Sequence, residues 1–199
     1  GEARPKAIEN SAVVLTDGRR HAFRSKTLLP TYDVFDESRY FSPGDTSEPF
    51  EFAGSTIGLT ICEDAWTEPS EGRDLYDCDP VAELSAAGAK IIINVSASPF
   101  CVGKVEYSDG LFSRKAKQNG ATMVLANQVG GNDDLIFDGS SMIVGEDGSL
   151  RCFIPSFESG YELVDLDSSA TALLPRLDDV TSVLDALTLG VRDYMEKCG

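Results

Sequence analysis

The stretch 56–66, TIGLTICEDAW, contains a cysteine at the point where an apolar run stops. The run before Cys62 is short and rich in β-branched residues, which predicts a buried strand. A thiol at the end of a core strand lies on a rigid support and can face a cavity, as a nucleophile requires. The alternative is structural, because free cysteine is among the most buried residue types and usually packs as a small apolar side chain. This stretch alone leaves both interpretations open.

A cysteine that cleaves amides needs a base for its proton and a cation that favours the thiolate and the developing oxyanion. Histidine is a poor candidate here, because His21 is the only one and lies in a strand-like run without a partner motif. A Ser-His-Asp triad or a multi-histidine metal site is therefore not expected. The two acids after Cys62 would disfavour a thiolate, so a nearby Lys or Arg is required. Lys26, at the entrance to an aromatic-rich loop, is the candidate, and the alternative for it is an ordinary surface lysine.

Composition narrows the class of protein further. The 199 residues are 42% hydrophobic and 25% charged, with a net charge of −16, which is typical of a globular protein with an acidic surface. Such a surface repels phosphate backbones and anionic lipid, so neither nucleic acid nor membrane is an expected partner. The five cysteines form no CxxC pair, which argues against a zinc cluster or a disulfide framework. We therefore expect a reducing, cytoplasmic location.

Local patterns predict the elements that must position these residues. In the first half, two hairpins are expected at 11–24 and 49–61, the first turning at Asp17-Gly18. Between them, residues 25–45 carry prolines, acids and four aromatics, which predicts a long, ordered, non-helical loop. The polar segment 68–79 is interpreted as a surface insertion.

The second half alternates helices and strands. Asp79-Pro80 is a typical helix start, and Gly88 a typical end. Asp133, Asp134 and Asp138 fit no calcium loop, and the stretch NDD at 132–134 is interpreted as a turn. The remaining predicted elements are strands at 90–95, 121–129 and 161–166, a hairpin over 140–154, and helices at 104–119 and 177–197. Together these elements predict an α/β or α+β fold with a mixed sheet covered by helices.

Four stretches also resemble a known family. KTLLPTYDVFDESRYFSPG, GLTICEDAW, NVSASPFCVGK and ANQVGGNDDLIFDGSS follow one another within residues 26–141. In that order they are similar to motifs of the nitrilase-like glutaminase domain of glutamine-dependent NAD(+) synthetases. The resemblance implies a four-layer αββα sandwich, N-terminally incomplete, over 1–172. It implies that 173–199 is a linker and helix leading toward a synthetase domain.

The resemblance assigns reacting roles to three positions. Cys62 would attack the side-chain amide of glutamine. Lys26 would polarise the carbonyl and hold the oxyanion, and the backbone N–H of Glu63 would complete the oxyanion hole.

It also implies binding roles. Tyr32, Ser98 and Lys104 match positions that bind glutamine, and Glu63 would contribute at its ammonium end. The chemistry of these side chains agrees, because a zwitterionic amino acid needs both a cation and a carboxylate, which Lys104 and Glu63 supply. The two aromatic walls of the pocket would be Phe35 and Trp66.

The sequence departs from the family at both ends. The glutamate general base of the family precedes the first matching motif, no FPE-type motif occurs, and no Gly-rich SGG loop follows. We therefore expect an internal fragment or split product with little or no glutaminase activity, exposed sheet edges and a tendency to associate. No cofactor is expected on this chain, and ATP and Mg²⁺ belong to the synthetase domain. The expected partners are L-glutamine, that synthetase domain and further copies in a homo-oligomer.

Two alternatives stay open. One is another amidase or carbamoylase of the nitrilase superfamily. The other is a catalytically idle nitrilase-like domain that serves as an assembly or regulatory surface.

Overall fold

The structure, a computed structural model, describes residues 8–45, 48–67, 76–175 and 178–199. The chain divides into two compact units, 1–95 and 96–199. Helices and strands alternate through both, so the predicted mixed α/β class is confirmed.

Unit 1 is built on two hairpins and one parallel strand pair. Its elements are β1 (Ser11–Thr16), β2 (Arg19–Ser25), α1 (Glu37–Tyr40), β3 (Phe50–Phe52), β4 (Ser55–Ile61), a 3₁₀ turn (Cys62–Ala65), α2 (Pro80–Ala86) and β5 (Ile91–Ser96). Both hairpins are confirmed. Asp17 and Gly18 have φ of 49° and 70°, which matches the twist of β1 and β2.

Strand β4 is the core of unit 1. It pairs antiparallel with β3 and parallel with β5, and its last five residues are buried. Helix α2 begins at the predicted cap, where the Asp79 side chain accepts hydrogen bonds from the N–H groups of Val81 and Ala82. A Cβ on Gly58 would lie 3.1 Å from Leu84, so α2 approaches β4 closely at this glycine. The apolar run before Cys62 is therefore buried, as its composition predicts.

The loop over 25–45 is ordered but not entirely non-helical, because α1 forms one helical turn in it. The loop is closed at its base, where Gly44 N donates to Lys26 O at 2.8 Å. A Cβ on Gly44 would lie 2.6 Å from the carbonyl oxygen of Ser25, so only glycine permits this approach. The ring centroids of Tyr32 and Phe35 lie 6.1 Å apart, edge to face. Aromatic packing thus contributes to the order of the loop.

Unit 2 contains α3 (Lys104–Asn119), β6 (Thr122–Asn127), β7 (Val129–Asn132), β8 (Leu135–Asp138), β9 (Met142–Val144), β10 (Leu150–Phe153) and α4 (Asp179–Cys198). Strand β9 pairs antiparallel with both β6 and β10. Helix α3 has the predicted bounds and buries Leu111, Phe112 and Ala116. It ends at Gly120, whose φ of 57° suits a left-handed cap.

Residues 129–138 form a hairpin of which the sequence predicts only the turn. Strands β7 and β8 pair antiparallel around Asp133 and Asp134, which do form the predicted turn. The hairpin is stabilised from outside, because Gly131 N donates to the Asp193 carboxylate of α4 at 2.7 Å. Two adjacent glycines hide its strand pattern in the sequence.

Two predictions for the C-terminal part need correction. Residues 161–166 form no strand, and Tyr161 and Leu163 are 90% and 92% exposed. Helix α4 is confirmed from Asp179, while the predicted start at residue 177 lies outside the described residues. The residues that α4 buries are Ala186 and Leu189, whereas other apolar side chains of the helix, among them Leu184, Leu187 and Val191, are exposed.

Candidate active site

Cys62 lies where β4 ends, as the first residue of the 3₁₀ turn. Its φ is +45°, a conformation that non-glycine residues seldom adopt and that the surrounding structure must hold. Asn94 of β5, which is fully buried, donates to Cys62 O at 3.1 Å and to Thr60 Oγ1 at 3.0 Å. Cys62 itself is partly exposed, while Glu63, Asp64 and Ala65 after it are buried. The turn therefore presents the thiol from a rigid, buried base.

Asp64 ties this turn to the segment that follows Lys26. Its Oδ1 accepts hydrogen bonds from the backbone N–H groups of Thr27 at 3.0 Å and Leu28 at 2.8 Å, and Oδ2 accepts from Ile61 N at 3.0 Å. Asp64 is 3% exposed. Burial raises its pKa, an effect that the three backbone hydrogen bonds and then the charge of Lys26 oppose. Glu63 and Asp64 are therefore buried carboxylates and do not form a solvated acidic turn.

Lys26 is 1% exposed, which excludes an ordinary surface lysine. Its Nζ donates to Glu37 Oε1 at 2.6 Å, and its backbone N–H donates to Asn10 O at 2.8 Å. Glu37, in α1, is a residue that sequence reasoning missed. Its only sequence signal is an acid in the loop that begins at Lys26, and closure of that loop brings it to the ammonium group.

Glu63 is a buried carboxylate held by two phenols. Tyr32 Oη donates to both of its oxygens, at 2.8 Å to Oε1 and 2.9 Å to Oε2. Tyr76 Oη donates to Oε1 at 2.7 Å. Sequence reasoning missed Tyr76, which lies in the segment interpreted as a surface insertion, of which residues 68–75 are outside the described residues. Burial, and then the hydrogen bond to Glu63, raise the pKa of Tyr76, so its hydroxyl stays a donor at neutral pH.

The other two predicted binding residues, Ser98 and Lys104, belong to unit 2. Ser98 N donates to Asn127 Oδ1 at 3.0 Å. Lys104 Nζ donates to the carbonyl oxygens of Ser98 and Pro99, at 2.7 and 2.9 Å, and to Asp138 Oδ1 at 2.5 Å. These three contacts match the three donors of an ammonium group.

Asp138 therefore acts as the counter-ion of Lys104, and it is itself buried. Its second oxygen accepts a hydrogen bond from Ser140 Oγ at 2.8 Å. Lys104 thus pins the backbone at Ser98 and Pro99. Its direct contact with a substrate stays a prediction.

The described residues give less support to another cysteine nucleophile, to a metal site or to a membrane-spanning helix. Burial raises the pKa of the Cys78 thiol, with added effect from Glu83, Asp64, Asp77 and Asp79, and burial also raises the pKa of Cys152. Neither thiol is therefore predisposed to be a nucleophile. Within the described ranges, His, Cys, Asp and Glu form no group of three suited to a metal ion. The described helices include none with the length and apolarity to span a bilayer.

The sequence of the chain is similar to those of known proteins. Residues 2–176 match the model of the carbon-nitrogen hydrolase family. A glutamine-dependent NAD(+) synthetase of Synechocystis sp. is 41% identical over 202 residues, which cover 98% of this chain and 36% of that protein. The chain thus spans about a third of the length of this curated relative.

Solved structures of related enzymes have a similar fold. The structure of glutamine-dependent NAD+ synthetase from Acinetobacter baumannii in complex with ADP superposes with a TM-score of 0.82 at 34% identity, covering 96% of this chain and 35% of that one. An amidase from Nesterenkonia sp., in which acrylamide has added to the active-site cysteine, has a TM-score of 0.56 at 26% identity, covering 69% of this chain and 49% of that one.

Proposed function

Because the chain belongs to the carbon-nitrogen hydrolase family, we propose that it is the glutaminase part of an NAD(+) synthetase, in which Cys62 cleaves the side-chain amide of glutamine. The observation that carries the proposal is the tether at Asp64. One carboxylate binds both the backbone just after Lys26 and the backbone just before Cys62. A buried cation and a thiol at a strand end are thereby fixed to a common anchor, as nucleophilic catalysis requires.

In the proposed reaction the Cys62 sulfur attacks the amide carbon and a tetrahedral oxyanion forms. Lys26 and the backbone N–H of Glu63 stabilise that oxyanion, and Glu37 holds the Lys26 ammonium in place. The C–N bond then breaks, and the amide nitrogen takes up the thiol proton and leaves as ammonia. Water hydrolyses the resulting γ-glutamyl thioester, which yields glutamate and restores the thiol. Net, one amide and one water give one carboxylic acid and one ammonia.

We assign the recognition of glutamine to a carboxylate, that of Glu63, and to an ammonium group, that of Lys104, with their polar neighbours. The buried Glu63 carboxylate and Tyr32 would bind the ammonium end. Ser98 and Lys104 stay glutamine-binding candidates because they match the family motifs. The intact pairing of Lys104 with Asp138 favours an indirect contribution through the Ser98 backbone.

The finer fold and the partners are also part of the proposal. The family resemblance favours a four-layer αββα sandwich, and a synthetase domain that uses ATP and Mg²⁺ would consume the ammonia to amidate nicotinate adenine dinucleotide. A glutamate outside this sequence would move the protons in both steps. The proposed enzyme is a cytoplasmic homo-oligomer.

Trapping of the nucleophile tests the proposal without turnover. The chain is incubated with the diazoketone analogue of glutamine, and the modified cysteine is identified by intact mass and peptide mapping. Cys62 should be alkylated selectively, excess glutamine should protect it, and Cys62→Ser should abolish the reaction. Iodoacetamide serves as the control, since it should also modify the exposed Cys101 and Cys198.

Selective alkylation with no protection by glutamine would favour another amidase. A panel of short amides used as competitors would then identify its substrate class. A Cys62 that reacts no faster than Cys101 would refute the nucleophile assignment, and with it the proposed function.

A further inference from the structure

We propose that Tyr76 is a positioning residue that orients the Glu63 carboxylate so that its Oε2 receives the α-ammonium group of the substrate. This inference rests on the proposed function and extends it to selectivity for amides that carry an amino group. Tyr76 belongs to none of the four family-like motifs, so its assignment comes from geometry alone.

The hydrogen bonds on Glu63 are asymmetric. Oε1 accepts the hydrogen bond of Tyr76 at 2.7 Å, and it shares the single hydroxyl hydrogen of Tyr32, at 2.8 Å, with Oε2. Among the residues that the structure describes, Oε2 accepts a side-chain hydrogen bond from Tyr32, at 2.9 Å, and none from Tyr76. A carboxylate has about four acceptor sites, so Oε2 is the oxygen with capacity for a further donor.

Tyr76 is the residue that creates this asymmetry. Tyr32 contacts both oxygens and would permit the carboxylate to rotate about its own axis, exchanging them. The bond from Tyr76 selects one oxygen and so defines which one faces a ligand. Glu63 is only 4% exposed, so water cannot easily replace a missing phenol.

The chemistry of Oε2 points to a cationic donor. A charge-assisted hydrogen bond to a buried carboxylate is roughly twice as strong as a neutral one. Lys26, the buried cation of unit 1 that the site already contains, is paired with Glu37 at 2.6 Å. The α-ammonium of an amino acid is therefore the donor class that matches Oε2.

The experiment compares two reagents on the full 199-residue chain. One is the diazoketone analogue of glutamine, and the other is the same diazoketone without the α-amino group. The ratio of their rate constants for alkylation of Cys62 is the discrimination ratio. Wild-type protein should show a ratio of about 10 or more, because one charge-assisted hydrogen bond contributes on that order.

Tyr76→Phe should lower the discrimination ratio about tenfold, while the rate with the reagent that lacks the amino group stays unchanged. The matched control is Tyr161→Phe, the same chemical change at a side chain that is 90% exposed, and it should leave both rates unchanged. Thermal unfolding of each variant separates the effect from loss of fold. If Tyr76→Phe does not fold, Tyr76 is replaced by 3-fluorotyrosine, which keeps the ring and changes the acidity of its hydroxyl. The discrimination ratio should then shift by about twofold or more.

Three results would overturn the inference. They are a wild-type ratio near one, a Tyr76→Phe ratio equal to the wild-type ratio, and a 3-fluorotyrosine protein with an unshifted ratio. All three differ from failure of the proposed function, since Cys62 would still be alkylated selectively. Absence of selective alkylation by either reagent would remove the proposed function and this inference together.

Discussion

Removal of the Asp64 side chain is the sharpest test of how the candidate site is held together. Asp64→Ala leaves three backbone N–H groups, those of Thr27, Leu28 and Ile61, without their acceptor. Leu28 and Ile61 are buried, so water does not readily replace the carboxylate there. Both the segment after Lys26 and the end of β4 lose an anchor through this one change.

The magnitude follows from the number of bonds lost. A hydrogen bond to a charged acceptor contributes about 1.5–3 kcal/mol, so three bonds give a gross loss of roughly 4.5–9 kcal/mol. Part is recovered, because burial raises the pKa of Asp64 and its desolvation cost disappears with the side chain. We expect a net loss of about 3–5 kcal/mol in the free energy of unfolding, a large share of the roughly 5–15 kcal/mol of a typical domain.

Urea unfolding measures the loss. With a slope of about 2 kcal/mol per molar urea, the midpoint should fall by about 1.5–2.5 M. Asp134→Ala, the same change at an exposed carboxylate in the β7–β8 turn, should change the free energy of unfolding by less than about 0.5 kcal/mol. Hydrogen exchange should speed up first at the amides of Thr27, Leu28 and Ile61.

The reasoning fails if Asp64→Ala unfolds at the wild-type midpoint. It also fails if the three amides keep their protection while distant amides lose theirs. If Asp64→Ala proves too unstable to purify, Asp64→Asn keeps one acceptor oxygen and should show a loss of about 1–3 kcal/mol.

Three further predictions concern titration and the second unit. First, burial raises the pKa of Asp64 above 3.8 in the folded state, so its contribution to stability falls as pH rises from 3.8 through the folded pKa. The wild-type advantage over Asp64→Asn in urea unfolding should therefore shrink as the pH rises above 3.8, and an advantage that grows would contradict the raised pKa. Second, because the pKa of Tyr76 is raised, Tyr76→Phe should leave the ultraviolet tyrosinate titration of the folded protein near pH ~10 unchanged. A loss of titration amplitude near that pH in Tyr76→Phe would refute the raised pKa of the Tyr76 hydroxyl. Third, Lys104→Met leaves Asp138 buried without its counter-ion and should destabilise the protein by about 3–5 kcal/mol. The double variant Lys104→Met with Asp138→Leu should recover much of this stability in thermal unfolding. Additive losses from the two substitutions would argue against an ion pair between these residues.

Elements that depend on local pattern could be predicted from the sequence. Helix α3 has the predicted bounds, and the β1–β2 hairpin turns at the predicted dipeptide, because side-chain periodicity, caps and turn residues act over a few neighbouring positions. The end of a buried strand at Cys62 follows from the same kind of signal. The ordered family-like motifs supplied the candidate residues themselves.

Side-chain contacts between residues distant in the sequence could not be predicted from such local patterns. The contacts of Glu37 with Lys26 and of Tyr76 with Glu63 join residues 11 and 13 positions apart, and neither contact repeats along the chain as a helix or strand period does. Helix α4 shows a similar limit. Its apolar residues are visible in the sequence, but only the folded structure shows that Ala186 and Leu189 are buried and that Gly190 packs against Ile136 of the hairpin.

The sequence by itself therefore determined the strand that carries Cys62, the main helices and the family to which the motifs point. The tertiary structure decided which charges are buried and paired: Lys26 with Glu37, Lys104 with Asp138, and Glu63 with two phenols. The physical reason is that local propensity acts through neighbours along the chain. Burial and charge pairing depend on which distant groups the folded backbone brings within about 3 Å of one another.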